Sequence, residues 1–181
     1  MLRFLKNILQ LILSPLHAWE EISYEDIDPE HLAARGMYPL LGLVAVSAFL
    51  HGLYQKAFEV GAQLQEAVGQ FVALLATYYI GVAMFDTFVS RFSTKEVSTN
   101  KSRTIAIYIV ALLAIIQIID NVVPIEIIIL QFLPLFAAIV LAKATTYLAI
   151  DKKKEGGYIL FAIGALIIPW FIFKTLLAFI F

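Results

Sequence analysis

Five ionisable side chains interrupt long apolar stretches of the chain: His51, Asp86, Asp120, Lys143 and Lys174. Charge inside a membrane is costly, so such groups are candidates for a polar pathway or a headgroup site. Their depths sort them into two sets. At 1.5 Å rise per residue, Asp120 and Lys174 each lie about 24 Å from the cytoplasmic start of their runs. His51 sits at a similar outer depth, so the three are expected to form one outer cluster. Asp86 lies about 7.5 Å and Lys143 about 12 Å from the cytoplasmic end, which makes them an expected pair. The structural alternative is plainer. Lysines near an interface snorkel to water, and a buried carboxylate takes a partner to reduce its burial cost. For Asp120 and Lys174 that plainer reading is preferred; for Asp86 with Lys143 the two readings stand level.

The elements that must position these groups are visible in the composition. Of 181 residues, 61% are hydrophobic and 15% charged, and the mean hydropathy is +0.88. A soluble domain is nearer half apolar and a quarter charged. Five runs are each long enough to cross a ~30 Å hydrocarbon core as a helix: about 36–55, 67–90, 104–123, 127–150 and 158–181. The expectation is therefore an all-α, polytopic bundle of five spans (residues 36–181) behind a cytoplasmic, interfacial head (residues 1–35).

Lys and Arg set the orientation. Arg3, Lys6, Arg35, Arg91, Lys95, Lys101, Arg103, Lys152, Lys153 and Lys154 fall on one side of a five-span chain, and Lys56 alone on the other. The first side is thus cytoplasmic; the N-terminus is inside and the C-terminus outside. The Lys152-Lys153-Lys154 run reads as an ordinary positive-inside signal more readily than as a lipid trap.

In the head, Arg3, Lys6, Asn7, Gln10 and Ser14 recur at helical spacing. Leu2, Phe4, Leu5, Ile8, Leu9, Leu11 and Ile12 oppose them. That pattern predicts an amphipathic helix lying in the interface, and polar interruptions without a small-x-small site exclude a cleaved signal peptide. Ser14 followed by Pro15 predicts a cap and start for a second helix carrying Trp19, Glu20 and Glu21. After the acidic turn 24–28, Asp28-Pro29-Glu30 predicts a third start. Gly69, Ala73, Thr77 and Gly81 recur every fourth residue and mark a close-packing stripe, as do Ala138, Ala142 and Thr146. Packing within one protomer is the preferred use, and a homo-oligomer is the alternative. Pro134 and Pro169 are expected to kink their spans. Five spans do not divide into equal inverted halves, unlike many transporters.

Signatures of soluble enzymes are missing. The chain has no cysteine, no glycine-rich phosphate loop, no nucleophile elbow and no HExxH. His17, His31 and His51 are scattered, and His17 with Glu20 or Glu21 is weak evidence for a metal. No catalytic residue, metal or cofactor is assigned, and nothing points to nucleic acid.

The segment Ile12-Leu13-Ser14-Pro15-Leu16-His17-Ala18-Trp19-Glu20-Glu21-Ile22 resembles the opening segment of small bacterial members of the Yip (Ypt/Rab-interacting-type) family. The layout of a short head and five spans is similar too. The resemblance implies a helical membrane domain with a cytoplasmic N-terminus, in a bacterial inner membrane. Eukaryotic members are associated with small GTPases and vesicle traffic, but the Asp-Leu-[Tyr/Trp]-Gly-Pro motif of those members is not present; only Gly157-Tyr158 stands near it. Within the resemblance, Pro15 is expected to start its helix and Trp19 to anchor at the interface. The expected function is a non-enzymatic membrane protein that binds lipid, or a membrane or cytoplasmic protein partner. The alternative is a small transporter or channel using Asp86, Lys143 and the outer cluster. An intramembrane enzyme ranks last.

Overall fold

A computed structural model describes residues 2–25, 27–54, 58–123 and 132–180. Asp26, Lys56, the start of the expected fourth run (127–131) and Phe181 lie outside them. Among the described residues the chain is helical and contains no strand; two connecting segments touch through one isolated bridge, Ser93 to Ile150.

Helices α1 (Leu2–Leu13) and α2 (Pro15–Glu25) form a hairpin. The ring of Pro15 removes a backbone donor and breaks the ladder. Ser14 carries the pattern across, its N–H donating to the Gln10 carbonyl at 2.7 Å and its carbonyl accepting from Ala18 at 3.0 Å. The helices fold back so that Arg3 near the start of α1 reaches Glu25 at the end of α2. Helix α3 (Pro29–Leu32) opens as its sequence predicts. Pro29 holds the first helical position, and the Asp28 carboxylate accepts from the backbone N–H groups of Glu30 and His31, each at 3.4 Å. A wide π-type turn (Ala33–Met37) joins α3 without a break to α4 (Tyr38–His51).

Helices α5 (Val60–Phe88) and α6 (Thr99–Val122) both start earlier than their apolar runs. On α6 the cause is Ser98, whose Oγ caps the helix by accepting from Lys101 N–H. Helix α7 (Leu133–Lys143) is followed by turns through residue 149. The helical span expected to reach Ile150 therefore ends at Lys143, and the turns that follow end in Ala149 at a positive φ of 52°. Helix α8 (Glu155–Ile180) runs through Pro169.

Four helices are long and apolar enough to cross a membrane: Pro29–His51, Val60–Arg91, Thr99–Val122 and Lys152–Leu177. Helix α7 is apolar but shorter. Helix α6 is the centre. Every residue from Thr104 to Ala114 is buried, as expected of a helix apolar on all sides. Helices α4, α5 and α7 pack around it, and α8 packs on α5 and α7. Leu64, Val68 and Val72 of α5 and Ile168, Phe171, Ile172 and Leu176 of α8 face outward.

The α5 stripe lies largely against the bundle. Ala73, Thr77 and Gly81 are buried, Gly69 half so. At Gly81 a Cβ would run into the Leu166 side chain of α8. Gly81→Val is expected to cost about 1–3 kcal/mol by overpacking, read as a lowered unfolding midpoint in detergent. The α7 stripe is corrected. Pro134, Ala137, Val140 and Leu141 are its buried residues, whereas Ala138 and Ala142 are half-buried and Thr146 is exposed in the turn. Pro134 stands in the first turn of α7 and so opens that helix rather than kinking it.

Candidate functional site

Two members of the outer cluster meet, beside a centre the ionisable residues do not reveal. Lys174 Nζ lies 2.7 Å from Asp120 Oδ2 and 5.4 Å from the centre of the Trp170 ring. These side chains are 43% and 41% exposed, so the pair is a surface ion pair. Its coupling in a double-mutant cycle of Asp120→Asn and Lys174→Met is expected below about 1 kcal/mol and lower still at high salt.

His51 joins the neighbouring residue instead: its Nδ1 lies 2.8 Å from the Asn121 carbonyl, which requires a proton on that nitrogen. The Asn121 side chain is the hub. Its Nδ2 donates to Ser47 Oγ at 3.0 Å and to Gln70 Oε1 at 2.8 Å. Its Oδ1 accepts from Gln70 and Gln117, each at 3.3 Å. Gln70 reaches on to Glu66 at 3.1 Å. Asn121, Gln117, Ser47 and Gln63 are all buried. A polar core thus ties α4, α5 and α6 together near one end. Gly52 matters to it, because a Cβ there would collide with the Gln63 side chain. A search for charge misses these amides. The signal was their spacing: Gln117 and Asn121 are four apart, Gln63 and Gln70 seven apart, so each pair shares a helix face.

The inner pair does not assemble. Asp86 and Lys143 are both exposed, and no ion pair joins them. Helix α5 packs on α4, α6 and α8, whereas α7 packs on α6, α8 and α2. Both side chains lie on the exposed surface of their helices.

The head presents the most elaborate junction. Trp19 was expected at the surface as an anchor; it is 1% exposed. Its indole N–H donates to the Val140 carbonyl at 2.9 Å. Its ring meets Tyr108 edge-on at 6.1 Å and Tyr147 at 5.3 Å. The aromatic ring thus fills the space between α2, α6 and the end of α7, where burial is worth more than an exposed position. Phe4 stacks on Tyr108 at 5.4 Å. Asn7, from the polar stripe of α1, is buried and donates to Tyr108 Oη at 3.0 Å and to Glu25 Oε2 at 2.9 Å. Arg3 completes the chain at 2.7 Å from Glu25 Oε1. Ser14 and Pro15 form the bend that lets α1 and α2 embrace this junction. His17 contacts Glu20 and Glu21 at 3.8 and 3.3 Å, all on the exposed side.

At the level of known proteins, no family model matches the chain, and neither a curated protein nor a solved structure matches it.

Proposed function

We propose that this chain is a non-enzymatic integral membrane protein of the Yip type, and that its work is to bind lipid. One observation carries the reading. With Phe4, Ile8, Leu11 and Trp19 turned into the bundle, the head still presents Leu2, Leu5, Leu9, Ile12, Leu13 and Leu16 outward. These six recur along one side of the hairpin, beside the basic side chains of Arg3 and Lys6. An apolar row edged with positive charge is what an interfacial helix offers to acyl chains and anionic headgroups. The head is therefore a platform clamped to the bundle on one face and lying in the lipid interface on the other.

Helix α7, apolar and flanked by the apolar sequence before it, is read as the fifth pass. The ten-to-one distribution of Lys and Arg places the N-terminus in the cytoplasm and the C-terminus outside, as in a bacterial inner membrane. Lipid is the first partner; a protein partner would dock on the same cytoplasmic face.

Native mass spectrometry of protein gently extracted from its own membrane tests this. Reproducible retention of a lipid class is the expected result. A bare protein, with nothing retained, would overturn the reading.

A further inference from the structure

Between the head and the start of α6 lies a cavity of about 110 Å³, well above the ~10–15 Å³ that admits one water. Its walls come from the end of α2 and its link to α3 (Ile22, Glu25), from the first turns of α6 (Lys101, Thr104, Tyr108) and from Tyr147 beyond α7. Resting on the lipid-binding reading above, we infer that this cavity holds the phosphoethanolamine headgroup of a membrane phospholipid.

The lining includes a cation, Lys101, and a carboxylate, Glu25. Lys101 Nζ is held by the Tyr147 carbonyl at 3.1 Å and lies 5.1 Å from the centre of the Tyr147 ring. An ammonium has three N–H donors, and among the described residues this bond uses one. The Tyr108 hydroxyl oxygen accepts from Asn7, and a hydroxyl also carries a proton it can donate. Lys101 and Tyr108 together suit a phosphate. Glu25 lines the same cavity, its carboxylate reached by the same Asn7 amide as the Tyr108 hydroxyl and its side chain 18% exposed. Arg3 takes one carboxylate oxygen and Asn7 the other, yet each oxygen offers two lone-pair sites. Glu25 therefore retains capacity for an ammonium group.

A ligand carrying only one sign of charge would engage Lys101 or Glu25 but not both. A zwitterion with phosphate and primary ammonium two carbons apart satisfies both. A trimethylammonium headgroup has no N–H to offer Glu25, and a glycerol headgroup has no cation. Depth agrees as well. Lys101 is the third residue of α6, where the apolar span begins, and that is the level of lipid headgroups.

The test uses the full chain in nanodiscs of equal phosphatidylethanolamine, phosphatidylglycerol and phosphatidylcholine, followed by native mass spectrometry. The wild type is expected to retain the ethanolamine lipid preferentially. Glu25→Gln and Lys101→Met are each expected to reduce that preference about tenfold, the effect of one charge-assisted hydrogen bond. Tyr108→Phe, which removes only a hydroxyl, is expected to weaken it less. Unfolding midpoints of all variants identify any that lose the fold, and the preference is read on those that keep it. Soluble glycerophosphoethanolamine at millimolar concentration is expected to displace the retained lipid. Lipid retained without headgroup preference, or a preference that survives both charge substitutions, would overturn this site and leave the broader lipid-binding reading standing. A protein that retains no lipid from any disc would overturn both.

Discussion

Trp19→Ala is expected to destabilise the protein by about 3–5 kcal/mol, the range for truncating a buried aromatic side chain. Three losses coincide at this site. The ring is almost wholly buried between α2, α6 and the segment after α7. Its contacts with Tyr108 and Tyr147 disappear, and the Val140 carbonyl loses the indole N–H that satisfies it. Trp19→Phe separates these terms. It keeps much of the volume and removes the hydrogen bond, so its cost is expected nearer 1–3 kcal/mol. The measurement is denaturant unfolding in detergent, together with limited proteolysis at the exposed residues around Tyr24. The alanine variant should be cut there under conditions that spare the wild type. Equal stability of the alanine variant and the wild type would mean that the head does not dock through this ring.

Asn121→Leu is the second large effect, at about 2–3 kcal/mol. Four side-chain hydrogen bonds meet at Asn121. Interhelical bonds within membranes average roughly 0.6 kcal/mol each, because the unfolded reference also finds partners. The three that leave α6 sum to about 1.8 kcal/mol, and the Gln117 bond within α6 with the stranded amides of Gln70 and Gln117 raises the total to that range. Gln70→Leu in the same background should cost less than it does alone, because the two amides bond each other reciprocally. A strictly additive double variant would show that the hub does not act as a unit.

Much of this fold was legible in the sequence because membrane helices write long signals. The runs containing Tyr38, Tyr78, Tyr108 and Trp170 all correspond to long apolar helices. Prolines were less readable, since the same residue opens a helix at Pro134 and is passed through at Pro169. The candidate sites were legible in part. Equal depth brought Asp120 to Lys174, because depth along a helix follows directly from residue count; His51 meets the Asn121 backbone instead. Depth failed for Asp86 and Lys143 because it says nothing about azimuth or helix adjacency; those two charges face outward from helices that mainly contact other partners. Trp19 was misplaced for a related reason. An aromatic beside a basic amphipathic helix suits an interface equally well from outside or beneath it, and only the position of Val140 decides between them. The amide core escaped notice because Asn and Gln barely dent a hydropathy profile, although they are the groups able to bond one another within a bundle.

The bond from Trp19 to Val140 joins residues 121 positions apart, and this sets an order of events during synthesis. A ribosome adding 5–20 residues per second needs on the order of 10 s to pass from one to the other. For most of that interval the head has been made but its seat has not. Until Tyr108 of α6 emerges, Phe4 and the indole of Trp19 lack the ring they pack on, and until α7 emerges the indole lacks its acceptor. The nearest apolar surface is the membrane into which α4 to α6 are being threaded. A nascent head resting there would wait beside its eventual seat, so that arrival of α7 converts a search through solution into a short movement within a plane.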